Sequence, residues 1–302
     1  MAKPQHMSSI LVIVVTFLFL LEANAAAKLP FFSFNLDRFF PNEPNLIFQG
    51  DAKASSTGVL EVTKTVNGVP VMGSIGRVLY SSPFHVWDSQ TKTTASFVAH
   101  LTFVIASPPN VSPADGLAFF ITPPNSPLPK DSGGGFLGLF GEGKVNDTSH
   151  QTVAVEFDTC YNMNWDPSGS RYHIGIDVNS IKSVATVPWV FRNGEVADAV
   201  ITYFGDTNYL SVTLIYGESQ EAYELGHFVD LKNAVPEWVS VGISATVGTS
   251  TPHNNIESNN VLSWSFHAFQ HSDTENGMSA RHAMLDFLHQ HHPTAFPKQS
   301  SF

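Results

Sequence analysis

The stretch VEFDTCYNMNWDPSGSRYHIGID, from Val155 to Asp177, concentrates side chains able to do one kind of chemistry. Glu156 and Asp158 stand two residues apart on a predicted strand, so both project from the same face. Asn162, Asp166 and His173 follow on a segment rich in turn formers. Three carboxylates, an amide and an imidazole make an oxygen-rich donor set. Hard oxygen ligands suit Ca²⁺, and a site that also includes His suits Mn²⁺ or a similar transition ion. Two adjacent cations would also offset the repulsion of three carboxylates packed closely together. By spacing alone, an acidic turn facing solvent fits the same residues.

The elements that must position this loop are strands. From Leu29 to Phe269 no long stretch has helical periodicity. Short β-branched and aromatic runs recur between Gly, Pro, Asn and Asp. They include Ser96–Val104, Gly116–Ile121, Thr152–Asp158, Val196–Phe204, Leu210–Tyr216, Trp238–Ala245 and Val261–Phe269. Val153, Val155 and Phe157 alternate with Ala154, Glu156 and Asp158, the period of a strand with two unlike faces. Asn67-Gly68, between Glu61–Val66 and Val69–Met72, predicts a type I′ hairpin turn. Many short antiparallel strands with no composition break predict one all-β sandwich. After Phe269 the chain turns polar and His-rich, with His271, His282, His289, His291 and His292. Ser279–His289 can form about three helical turns with Met284, Leu285 and Leu288 on one side. The expected organisation is therefore a leader over residues 1–25, a sandwich over 26–269 and a flexible or processed tail over 270–302.

The leader follows from Lys3, the apolar run Ile10–Leu21 and the small residues Ala23, Ala25, Ala26 and Ala27. These describe a cleaved secretory signal, and the run is short of the roughly 20 residues that span a bilayer. The expected destination is the secretory pathway, ending outside the cell or in the vacuole. Two sequons, at Asn110 and Asn146, then become candidate glycosylation sites. With 26 acidic against 15 basic residues the formal charge is −11. That argues against nucleic acid or an anionic membrane as partner. The single cysteine, Cys160, excludes an internal disulfide framework and any CxxC motif. Buried and inert is its commoner state; exposed, it could enter a mixed disulfide.

Catalytic patterns are missing. Glycosidases of β-sandwich shape carry a second Glu three residues after the Asp of an E-x-D pair, and here that position is Tyr161. Met72-Gly73-Ser74-Ile75-Gly76 has the wrong spacing for a nucleophile elbow, and Gly133–Gly135 lacks the Lys-Ser/Thr of a phosphate loop. No enzymatic activity is expected.

The run VAVEFDT…N…WDP…HIGIDVNSI resembles the metal-binding signature of the legume lectins. The similarity continues through FSFN at Phe32–Asn35, LIFQGDA at Leu46–Ala52, ADGLAFF at Ala114–Phe120, GGGFLGLF at Gly133–Phe140, VPEWVSVGISA at Val235–Ala245 and VLSWSF at Val261–Phe266. The resemblance implies a concanavalin-type jelly roll of two large antiparallel sheets, with Ca²⁺ and Mn²⁺ beside a shallow sugar site. It puts Mn²⁺ on Glu156, Asp158, Asp166 and His173. It puts Ca²⁺ on Asp158, the main-chain carbonyl of Cys160, Asn162 and Asp166, and it matches Ser183 to a position holding a metal-bound water. Sugar recognition would fall to Asp115, the Gly135 backbone NH and Asn162, with the Ala114–Asp115 peptide cis.

Two departures from the family pattern bear on sugar binding. Position 160, usually a sizeable side chain able to pack on the sugar's apolar face, is Cys160. The loop between Gly248 and Val261 sets monosaccharide choice in the family, and its length does not assign it to the mannose/glucose or the galactose type, so specificity is open. The implied function is a Ca²⁺/Mn²⁺-dependent lectin for glycans or glycoproteins. The alternative is a storage, defence or interaction protein that keeps fold and metals but binds sugar weakly or not at all. Relatives pair through the back sheet, which implies a homodimer or homotetramer and places Trp189–Arg192 and Val196–Phe204 on that sheet.

Overall fold

The computed structural model describes residues 31–141, 150–248, 255–270 and 280–291. The leader, Asn146, residues 249–254 of the Gly248–Val261 loop, and His271 and His292 lie outside the described residues. The signal over 1–25 and the Asn146 sequon are therefore expectations from sequence only.

Two eight-stranded antiparallel sheets form the body. The back sheet runs in the order Ala222–Phe228, Tyr209–Tyr216, Val196–Phe204, Ser96–Ala106, Ser258–Phe269, Leu60–Glu61 and Lys53–Ala54, with Phe32–Leu36 also paired to Ser258–Phe269. The front sheet runs Ala185–Pro188, His173–Val178, Val153–Asp158, Asp115–Thr122, Trp238–Val247, Ile75–Tyr80 and Leu46–Gly50, with Phe84–His85 paired to Trp238–Val247. Thr65–Val66 and Val69–Pro70 form a separate hairpin, and positive φ at Asn67 (50°) and Gly68 (78°) is the expected type I′ geometry. The sequence-expected strand Glu61–Val66 is interrupted: Glu61 belongs to the back sheet, and only Thr65 and Val66 enter the hairpin.

The sheets differ in what covers them. In Tyr209–Tyr216 every second residue is buried, so Leu210, Val212, Leu214 and Tyr216 face inward while the residues between are half-buried. That is a sheet with one covered face. The central front strands Asp115–Thr122 and Val153–Asp158 are buried at every position. Their inward residues, such as Val155, Phe157, Leu117 and Phe119, join the back sheet's Leu101, Phe103, Ile201 and Phe266 in the inter-sheet core. Their outward residues Ala118, Phe120 and Ala154 pack under Leu137, Leu139, Phe140 and Ile181 in a second apolar layer. That layer excludes water from the outer face of the front sheet and gives polar residues at its end a dry surrounding.

Trp189–Arg192 does not lie on the back sheet. Strand Ala185–Pro188 is the front-sheet edge, and Trp189 follows it. Its ring turns into the inter-sheet core, its Nε1 donating to the Asp158 carbonyl at 3.1 Å. Val196–Phe204 is a back-sheet strand with the bounds read from the sequence.

The chain divides into two compact units, and Pro30–Met284 contains both sheets. Within the tail, residues Ala280–His291 form a helix in which Met284 and Leu288 are fully buried and Leu285 is half-buried.

Candidate metal and carbohydrate site

Strand register assembles the polar cluster. Asp158 pairs directly with His173, and Glu156 with Gly175. Period-two alternation then puts Glu156, Asp158, His173 and Asp177 on one face of two adjacent strands. Gly175 is required there: a Cβ at that position would lie 2.4 Å from both Glu156 Oε1 and Ser183 Oγ. The space it leaves is filled by those two side chains. Ser183 donates to Glu156 Oε1 and to Asp177 Oδ1, the latter at 2.8 Å.

One ligand atom each from Glu156, Asp158 and His173 lie within 4.8 Å of one another, and all three residues are buried. His173 Nε2 is 3.0 Å from Glu156 Oε1, while its Nδ1 has no hydrogen-bond partner and lies 3.9 Å from Asp158 Oδ1. Asp166, half-buried on the loop, accepts from the Asn162 backbone N–H, and Cys160 N donates to Asp158 Oδ1 at 2.8 Å. Beside this cluster a cavity of about 300 Å³ is lined by Asp166, Ser183 and Lys182 among others.

The electrostatics are those of a site short of positive charge. Burial, then Glu156 and Asp166, push the Asp158 carboxyl well above the usual carboxylate range. Burial and Glu156 do the same to Asp177. Asp166 rises to about 6, chiefly through burial. Burial works against a charged His173, but its hydrogen bond and charge interaction with Glu156 outweigh it and raise its pKa. Carboxylates crowded in a dry site, with a buried imidazole nitrogen unpartnered, are the donor set a divalent cation satisfies. The residues present fit that group.

Across the neighbouring strand Gly116 pairs with Asp158, so Asp115 begins its strand next to the cluster. The Ala114–Asp115 peptide is cis. Asp115 Oδ2 is buried without a partner, and burial raises the carboxyl to about 7. Gly135 sits in the short turn Gly134–Phe136, anchored where Thr246 Oγ1 donates to the Gly134 carbonyl at 2.7 Å. A Cβ on Gly135 would lie 2.4 Å from Asn162 Oδ1, so only glycine lets the two loops meet. Phe136 and Trp165 pack at 5.1 Å between ring centres and hold the same loops together. Asn162 Oδ1, like Asp115 Oδ2, is a buried acceptor without a partner. Unpaired oxygens on two loops beside a glycine backbone are suited to receive hydroxyl donors.

Glu257 and Asp177 carry no role in the sequence reading. Glu257 is fully buried, and its Oε2 accepts from Thr159 Oγ1 at 2.6 Å, while Thr159 N donates to the Asp115 carbonyl at 3.0 Å. Thr159 lies between Asp158 and Cys160, so Glu257 braces the turn that links the Glu156–Asp158–His173 cluster to Asp115. Burial raises its carboxyl to about 8. Asp177 was recognisable from period two, as the second outward residue after His173. Cys160 is half-buried, and burial with the charges of Asp115, Asp158 and Glu257 pushes its thiol up to about 12. It therefore stays protonated and inert at neutral pH. At the first sequon Asn110 is exposed, while Ser112 Oγ accepts from Arg171 Nη2 at 2.8 Å.

The legume lectin domain family model matches residues 32–281. This chain belongs to the legume lectin family. Seed agglutinin 2 of Robinia pseudoacacia is 48% identical over 259 residues, covering 86% of this chain and 88% of its own. The solved lectin UEA-II complexed with galactose superposes with a TM-score of 0.73 at 48% identity, over 79% of this chain and 99% of that one. Basic winged bean lectin with Tn-antigen gives 0.74 at 45%, over 80% and 99%. The relatives are lectins and agglutinins, carbohydrate-binding proteins and not enzymes. The expectation of a jelly-roll lectin therefore stands, and among the described residues no helix is long and apolar enough to cross a membrane.

Proposed function

We propose that this lectin binds glycans in a Ca²⁺- and Mn²⁺-dependent manner through Asp115, the Gly135 NH and Asn162. The carrying observation is that the unpartnered oxygens of Asp115 and Asn162 stand beside the buried Glu156–Asp158–His173 cluster. Glu156, Asp158, Asp166 and His173 would hold Mn²⁺. Asp158, the Cys160 carbonyl, Asn162 and Asp166 would hold Ca²⁺, with Ser183 steadying Glu156 and a metal-bound water. Bound cations would supply the positive charge that keeps these carboxylates ionised. The chain's own residues do the recognition. The Asp115 carboxylate accepts from two sugar hydroxyls, while the Gly135 NH and Asn162 amide fix their direction.

The same reading has residues 1–25 removed on secretion, 26–269 acting as the lectin and 270–302 as an appendage. Asn110 and Asn146 would carry glycans, and dimers or tetramers would convert weak single-site affinity into avidity. An extracellular or vacuolar location follows from the leader.

The test is a glycan array of the mature protein with both cations present, including galactose, the sugar found in one solved relative. The expected result is binding to a defined glycan set that Asp115→Asn abolishes. Silence from folded, metal-loaded protein would favour the non-binding alternative.

A further inference from the structure

A second cavity, of about 480 Å³, shares no lining residue with the metal cluster or with Asp115, Gly135 and Asn162. It lies on the outer side of the front sheet and is lined by Arg77, Thr122, Lys130, Asp131, His150 and Thr152 among others. Arg77 decides its character. The residue is 2% exposed, and among the described residues it has no carboxylate partner. Its Nη1 donates to the carbonyls of Pro127 at 3.2 Å and Gly138 at 3.4 Å, and its guanidinium carbon stands 4.6 Å from the centre of the Phe120 ring. The opposite edge is open: Nε is buried without an acceptor, and among the described residues Nη2 makes no hydrogen bond. That edge is the one a carboxylate or phosphate meets with two parallel hydrogen bonds.

Burial lowers the Arg77 pKa only to about 10, so the group remains a cation at neutral pH. A buried cation facing two carbonyls and a ring lacks full compensation for its lost hydration. A second orphan lines the same cavity. His150 Nε2 is buried with no hydrogen-bond partner, its ring set edge-on against Phe140 at 5.9 Å. Lys130 adds an exposed cation at the rim, and Asp131 beside it is the one carboxylate among the described lining residues. Thr122 and Thr152 hydroxyls, 3.1 Å apart, line the wall.

We propose that this cavity is an anion site, taking a small ligand with two geminal oxygens on the open edge of Arg77, with His150 Nε2 as second donor and Lys130 at the mouth. Such a group is carried by a carboxylate or by a tetrahedral oxyanion, and the experiment separates the two. The metal-loaded mature protein is titrated calorimetrically with sodium sulfate and, separately, sodium acetate, at ionic strength matched with chloride. The expected result is saturable one-site binding of at least one anion beyond that of chloride. Saturation by sulfate alone assigns a tetrahedral oxyanion, by acetate alone a carboxylate, and both outcomes support the site. Arg77→Met should abolish the signal. Because that variant also frees the Pro127 and Gly138 carbonyls, His150→Ala and Lys130→Ala are titrated beside it. His150→Ala should weaken binding about tenfold, the loss of one charge-assisted hydrogen bond. No saturable binding of either anion, or affinity unchanged in both His150→Ala and Lys130→Ala, overturns the proposal.

Discussion

Along the strand Val153–Asp158, one face carries Val153, Val155 and Phe157 into the inter-sheet core, and the other carries Glu156 and Asp158 into the polar cluster. Both faces are dry. On the first, close-packed apolar side chains complete each other, and nothing further is needed for stability. On the second, burial leaves the Asp115, Asn162 and His173 atoms unpartnered and forces carboxyl pKa values up. The same backbone thus supports a self-sufficient layer and one whose polar valence its own side chains leave unmet. The contrast teaches that burial alone does not separate structure from function here; unmet polar valence does.

Adjacent substitutions break the comparison most sharply. Phe157→Ala empties a fully buried aromatic position that touches Phe103 and Trp189. It should cost about 3–5 kcal/mol in urea unfolding, with or without chelator alike. Asp158→Asn should leave metal-free stability equal or higher, since it removes a buried repulsive carboxylate. It should abolish cation-dependent stabilisation and glycan binding together, checked by thermal melts with and without Ca²⁺ and Mn²⁺.

A pH series sharpens the same point. Asp115 at about 7 and Glu257 at about 8 hold their protons more tightly folded than unfolded. Metal-free protein should therefore be most stable near pH 4 and lose stability as pH rises toward 8. Cation affinity should move the opposite way and strengthen with pH as Asp158 and Asp166 ionise. Melting curves in chelator and in excess cation, run over that range, would show the two trends crossing.

Smaller effects are expected at the supports. Ser183→Ala frees Glu156 and Asp177 from their shared donor and should weaken metal binding about tenfold, as loss of a ligand-orienting hydrogen bond does elsewhere. Competitive chelator titration measures it. Smallest is Cys160→Phe, which restores a ring able to lie against a sugar. It should raise glycan affinity up to about tenfold on a sensor surface.

Much of the polar face was legible in local sequence because period two and strand pairing place its members. Glu156 and Asp158 are fixed by spacing, and a signature read as lectin-like supplied Asp115, Gly135 and Ser183. Glu257 was not legible, since its partner Thr159 lies 98 residues away and nothing in IESNN marks a buried acid. Arg77 and His150 share that property: their meaning comes from what they lack, which no spacing records. Trp189–Arg192 was placed on the back sheet together with Val196–Phe204, but it follows the front-sheet edge strand Ala185–Pro188. Trp189 instead caps the core by bonding to the carbonyl of Asp158.

The most direct test follows one sample of mature protein through three states: loaded with Ca²⁺ and Mn²⁺, stripped by chelator, and reloaded. Metal content and glycan binding are measured in each. The account predicts that stripping removes both cations and glycan binding while the fold persists, and that reloading restores binding. Glycan binding that survives complete removal of the metals would contradict it.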